Sequence, residues 1–161
     1  MKKMNHPIYV VDDDQALNMM ICKFLKQQGF QNVKGFYNSE DMLKQFRPKD
    51  NPIIIQDFDL PGMNGLEVLK EIKPKNPKIE FIFLSGQSSI EVAVEAIKYG
   101  AFDYIVKDNF SKENVSTKIK NLMKMKILEA EKLGFKVGLF IFILLLLATW
   151  GLLFYFYLTR Y

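Results

Sequence analysis

Ile53-Ile54-Ile55-Gln56-Asp57-Phe58-Asp59-Leu60-Pro61-Gly62 is the stretch on which the reading of this chain turns. An apolar run of strand length ends in a carboxylate, and a Pro-Gly turn follows at once. Open α/β folds build their sites outside the carboxyl ends of their strands, so Asp57 stands where such a fold does its chemistry. Working outward, Ile8-Tyr9-Val10-Val11 runs into Asp12-Asp13-Asp14, and Phe102–Val106 runs into Lys107. Acids and a lysine at three strand ends point to a magnesium-assisted phosphoryl site.

The organisation around these runs is regular. Strands are predicted at Ile8–Val11, Val33–Phe36, Ile53–Gln56, Ile79–Leu84 and Phe102–Val106. Helices are predicted between them at about 15–28, 39–46, 66–73 and 89–99, with a fifth from Lys112. In the first helix Leu17, Met20, Ile21, Phe24 and Leu25 form one buried stripe, and Gly29 ends it. Ser88-Ser89-Ile90-Glu91 reads as a capping-box start for the fourth, which Gly100 stops. Strict alternation with short connections predicts an α/β fold, a parallel sheet with helices on both faces. The strands at 53–56 and 79–84 are apolar almost throughout, as burial on both faces requires.

The 161 residues, 49% hydrophobic, allow one good core, but the last 25 or so distort that average. Val137 to Leu158 contains no charge, about 22 residues or roughly 33 Å of helix, enough to cross a bilayer. The net charge of +4 is uneven. Lys112, Lys118, Lys120, Lys124, Lys126, Lys132 and Lys136 face only Glu113, Glu129 and Glu131 before the apolar run, and Arg160 alone follows it. The positive-inside rule then puts the N-terminal domain in the cytoplasm. The expected division is a soluble domain over 1–125, a helical connector over 126–136, a membrane span over 137–158 and a short outer tail over 159–161. Lys132 with Lys136 reads as the inner anchor, and Tyr155, Tyr157, Arg160 and Tyr161 as the outer one. The N-terminus does not read as a signal peptide. Cys22, the one cysteine, excludes an internal disulfide and reads as a small core residue.

Magnesium takes oxygen ligands, usually one or two carboxylates with waters and phosphate oxygens. Asp12 and Asp13 follow the first strand and Asp57 the third. If those strands are neighbours their carboxylates converge, and a divalent cation removes the repulsion. Asp14 reads as the cap of the first helix. Any one of these acids alone is an ordinary turn residue, and Lys107 alone a surface lysine. Together with Ser85 they all fall at the C-terminal ends of strands one, three, four and five, which random turn residues would not do.

Four segments carry a close resemblance to the response-regulator receiver domains of two-component signalling. They are Val10–Asp14, Asp57-Phe58-Asp59-Leu60-Pro61-Gly62-Met63-Asn64-Gly65, Leu84-Ser85-Gly86, and Ala96–Lys107. The resemblance spans about residues 6 to 125. It implies a CheY-like, doubly wound five-stranded parallel sheet in the order 2-1-3-4-5, with five helices. It implies that Asp57 accepts a phosphoryl group from a phosphohistidine on a sensor histidine kinase or phosphotransfer protein. Asp12, Asp13, Asp57 and the backbone carbonyl of Asp59 would hold Mg2+ or Mn2+, Asp12 through a bound water. Lys107 would pair with the phosphoryl charge, while the Ser85 hydroxyl and the Gly86 amide bond its oxygens. Ser85 and Tyr104 match the switch pair that moves on phosphorylation. Such a domain is not an enzyme acting on a separate substrate, since it catalyses only its own phosphorylation and dephosphorylation.

One departure stands out: the family usually has proline after the lysine, and here Asp108 follows Lys107. Gln87 and Asp59 match positions that tune phosphoryl lifetime. Asp57-Phe58-Asp59 also resembles the opening motif of haloacid-dehalogenase-like phosphatases. Those carry it on the first strand of a longer chain, and the upstream acid pair fits a receiver better.

The expectation for the whole is a receiver anchored to the bacterial inner membrane by a single pass, its domain in the cytoplasm. It would signal through the face of helix four, strand five and helix five. Its partners would be a kinase and the lipid bilayer, not nucleic acid, since the helix-five lysines suit anionic headgroups. Gly134 and Gly138, four apart, leave a homodimer through the span open. The alternative is a membrane-tethered docking module that works without phosphorylation.

Overall fold

A computed structural model describes residues 6–86, 89–107 and 111–160. The chain falls into two compact units, residues 1–117 and 118–161.

The first unit is built on five parallel strands: β1 Ile8–Val11, β2 Val33–Phe36, β3 Ile53–Asp57, β4 Glu80–Ser85 and β5 Asp103–Val106. Their order is β2-β1-β3-β4-β5, as expected. Interleaved are α1 Gln15–Gln27, α2 Ser39–Gln45, α3 Gly65–Ile72 and α4 Ile90–Lys98, with α5 starting at Lys112. A 3-10 turn at Pro48–Asp50 was not anticipated. Asn51, at positive φ, ends it.

Period-two alternation sorts the strand residues to two sheet faces. Tyr9, Val11, Ile54, Phe81 and Phe83 join Met42 of α2 and Val68, Leu69 and Ile72 of α3 in one core. Ile8, Val10, Ile53, Ile55, Ile82 and Leu84, equally buried, point the other way, where α1 lies against β1 and β2. Each fully buried Ile, Leu or Phe contributes about 1.5–3 kcal/mol, so the sheet interior carries the fold.

Local signals set the helix ends. Asp14 caps α1, its Oδ1 accepting from the amides of Ala16 at 2.9 Å and Leu17 at 3.1 Å. Gly29 and Gly100, at φ 95° and 93°, follow the ends of α1 and α4. The cap of α4 is Ser89, whose Oγ accepts from the Val92 amide at 3.4 Å. Ser88, the first residue of the capping box expected there, lies outside the described residues. A complete box sits on α3, where Asn64 Oδ1 accepts from the Glu67 amide and Glu67 Oε2 from the Asn64 amide. Cys22 is half-buried rather than in the core.

The second unit is helical from Lys118 to Thr159. α5 runs from Lys112 to Thr159 and passes Gly134 and Gly138 without interruption. It is long and apolar enough to cross a membrane, and its most apolar window is wholly unburied. Phe135, Phe140, Trp150 and Phe154 are all more than half exposed.

Candidate functional site

The register of the central strands builds the site. Val11 of β1 pairs with Gln56 of β3, so Asp12 and Asp57 leave the sheet side by side. Asp57 pairs with Leu84, and Ser85 with Val106, which sets β4 and then β5 on the other flank. One carboxylate oxygen from each of Asp12, Asp13 and Asp57 falls within 4.8 Å of the others. Asp12 and Asp57 are buried and Asp13 is exposed, leaving the cluster one open side.

Lys107, just past β5, reaches over β4 into this cluster. Its Nζ donates to Asp57 Oδ2 at 2.7 Å and lies 3.0 Å from Asp12 Oδ2. The second contact is an ion pair without hydrogen-bond alignment, so Asp12 Oδ2 remains a buried oxygen lacking a hydrogen bond. Asp12 Oδ1 accepts from the Asp14 amide at 3.0 Å, and Asp57 Oδ1 from the Asp59 amide at 3.1 Å.

Burial pushes the Asp12 carboxyl above the ordinary carboxylate range, and the Asp57 charge adds to that. Lys107 and the Asp14 amide offset this only in part. For Lys107, burial alone would pull the ammonium down. Its contacts with Asp57 and Asp12 outweigh burial and hold it above the ordinary lysine value.

The remaining predicted residues ring the cluster. Ser85 is buried, and its hydroxyl donates to Asp59 Oδ2 at 3.4 Å. Asp59 is exposed. Gly86 is exposed, with open space where a Cβ would stand. Tyr104 is half-buried and packs edge-on against Phe58, centroids 6.1 Å apart, and Phe58 packs in turn on Phe83 at 5.7 Å. Asp108 and Gln87 lie outside the described residues.

Residues 8–120 match the family described as the response regulator receiver domain. The chain belongs to that family. The receiver is 40% identical over 100 residues to the transcriptional regulatory protein ZraR of Salmonella typhimurium, covering 62% of this chain and 22% of that protein. It is 36% identical over 131 residues to a putative response regulator, NtrX-like, of Rickettsia bellii, covering 80% and 27%. The chain thus spans about a quarter of the length of these curated relatives. Among solved structures, a response regulator receiver domain protein from Clostridium thermocellum superposes with a TM-score of 0.69 at 30% identity, covering 76% of this chain and 97% of that one.

A two-component receiver is phosphorylated on an aspartate and binds Mg2+ through an acidic pocket. The residues here fit that ion. Three carboxylates against one ammonium leave a formal charge of −2, which a divalent cation cancels. Every donor in the cluster is a hard oxygen, the type magnesium takes. Asp12 Oδ2, buried and 3.0 Å from the Lys107 ammonium, accepts no hydrogen bond and keeps lone pairs that a cation can take.

Motif reading missed Asn18, Ser39 and Gln56. Asn18 is buried on the inner face of α1. Gln56 Nε2 donates to Ser39 Oγ at 3.1 Å, and Ser39 Oγ donates to the Met63 carbonyl at 2.8 Å. The one available signal was position. Asn18 lies three and seven residues before Ile21 and Leu25 of the buried stripe.

Proposed function

We propose that this chain is a receiver held at a membrane, taking a phosphoryl group on Asp57 from a sensor histidine kinase or phosphotransfer protein and signalling through protein contacts. The observation that carries this is Lys107 reaching across β4 to Asp57 and Asp12. A salt bridge needs one acid, and a solvated turn needs none. A cation set among three converging carboxylates is the arrangement phosphoryl transfer uses.

In the proposed step an Asp57 oxygen bonds to phosphorus as the bond to the donor histidine nitrogen breaks, forming an aspartyl phosphate. Asp12, Asp13 and Asp57, with the Asp59 carbonyl, would hold the magnesium. When bound, the ion supplies charge neutralisation for the phosphoryl oxygens. Lys107 pairs with the charge that the transferred group brings. Ser85 exchanges Asp59 for a phosphoryl oxygen, and the Gly86 amide bonds a second one. Tyr104, resting on Phe58, then repacks as Ser85 moves, which turns a local charge into a change of surface. Chemistry of this kind acts on the chain itself and on no separate substrate.

The anchor in this reading is α5. Its apolar stretch has the length of a span and carries no charge, and its most apolar window is unburied. The lysine excess on its N-terminal side sets the receiver in the cytoplasm. Lipid and protein, rather than nucleic acid, are the proposed contacts.

The test is magnesium-dependent phosphorylation of the full chain in detergent by acetyl phosphate, followed by intact mass, with Asp57→Asn as control. An added phosphoryl that needs both magnesium and Asp57 is expected. No adduct and no magnesium binding would leave a docking module that works without phosphorylation. Retention of the chain in membranes after alkaline extraction tests the anchor separately, and release into the supernatant would remove it.

A further inference from the structure

The inner face of α1 carries one polar side chain, Asn18, 2% exposed. An amide in that position is costly unless its polar atoms are bonded. Here they are. Asn18 Nδ2 lies 2.7 Å from the Phe36 carbonyl, 3.2 Å from that of Val10 and 3.3 Å from that of Asp12. Asn18 Oδ1 accepts from the Cys22 thiol at 3.6 Å. Three carbonyls around one end of the amide settle which end is the nitrogen. Gly35 supplies the room, since a Cβ there would overlap Asn18 Oδ1 and come within 3.2 Å of Cys22 Sγ. The end of β2, the end of β1 and the first turn of α1 are shaped together around this amide.

What the amide holds is the backbone of the acid pair. The Asp12 amide donates to the Phe36 carbonyl at 3.1 Å, and the Asp12 carbonyl accepts from Asn18. That carbonyl belongs to the peptide joining Asp12 to Asp13. A peptide is planar, so pinning its oxygen sets the direction in which both flanking Cα atoms present their side chains. One flanking acid is the buried member of the cluster, and the other is its exposed member. We propose that Asn18 is the positioning residue of the cation site, holding the Asp12–Asp13 peptide so that both carboxylates meet Asp57. The inference rests on the magnesium reading above. Asn18 touches neither the cation nor a reacting atom and acts only through this peptide.

The test is the magnesium dissociation constant, measured by isothermal titration calorimetry on the full chain in detergent. Asn18→Leu keeps the branched heavy-atom skeleton and removes the donors. Partners that orient metal ligands are worth about 10–100-fold in affinity, so this variant is expected to bind magnesium at least about tenfold more weakly. Cys22→Ala loosens the same packing from the other end of the amide without touching a carbonyl. It is expected to lose stability and keep its affinity, a split that a purely structural role for Asn18 would not produce. Equal affinity in Asn18→Leu and the unaltered chain, both melting cooperatively, overturns the proposal. Should Asn18→Leu not melt cooperatively, Asn18→Ala removes the same donors with no branched side chain set against the three carbonyls, and an unchanged constant there overturns the proposal equally. Failure of the unaltered chain to bind magnesium overturns the metal reading itself, and the inference with it.

Discussion

Lys107 Nζ sits 2.7 Å from Asp57 Oδ2, although fifty residues separate the two in sequence. The same ammonium is 3.0 Å from Asp12, so one cation compensates two buried acids. Most of what can be tested in this site follows from that shared role.

Without magnesium, Lys107→Ala leaves Asp12 and Asp57 buried with no cation between them. Breaking a buried pair by removing one partner costs about 3–5 kcal/mol. The Lys107 side chain is 26% exposed, and solvent reduces the loss to about 1–3 kcal/mol. Magnesium is expected to restore more stability to this variant than to the unaltered chain. Chemical denaturation with and without the ion measures both, and an equal gain in the two would contradict the shared role.

Stability of the metal-free receiver is expected to fall as pH rises. Burial raises the Asp12 carboxyl above its unfolded value. Between the two values the folded chain holds a proton that the unfolded chain has released. That contribution is present near the ordinary carboxylate value and is lost as pH rises through the folded one. Magnesium requires the ionised carboxylate, so its affinity is expected to rise over the same window. Melting temperatures from about pH 4 to about pH 8, with and without the ion, should diverge toward the alkaline end.

Gly65 allows α3 to start against β3, the strand that ends in Asp57. A Cβ there would stand 2.6 Å from Phe83 Cε1 and 2.8 Å from the Asp57 carbonyl oxygen, the latter a backbone atom that cannot swing aside. Overpacking of this kind costs about 1–3 kcal/mol. Gly65→Ala should therefore melt lower, and a melting temperature equal to the parent's would show that the contact relaxes freely.

Ser39→Ala removes the hydroxyl that links Gln56 to the Met63 carbonyl. Gln56 is fully buried and its Oε1 already lacks a partner. Stranding its Nε2 as well should cost about 1–3 kcal/mol. Phosphorylation by acetyl phosphate should persist in the folded fraction, because none of these atoms touches the acid cluster. Loss of phosphorylation in a fully folded variant would mean that the link also sets the loop after Asp57.

The sequence by itself determined the α/β alternation, the strand order through the family resemblance, and the residues at the strand ends. Period-two and period-3.6 patterning is local, so it survives in one dimension, as do the Pro-Gly turn after Asp57 and the Asp14 cap. Asp12, Asp13, Asp57, Ser85 and Lys107 were legible because the parallel sheet brings all strand C-termini to one edge. The tertiary structure alone decided which side chains meet there. It set Lys107 on two acids at once, left Asp12 Oδ2 without a hydrogen bond, and turned the Ser85 hydroxyl to Asp59. It also put an asparagine among the apolar side chains of α1, where composition reads only a flaw in a stripe. The physical reason is that an amide's value depends on three carbonyls contributed by two strands and the residue just past the first, and no local pattern records where those carbonyls will point.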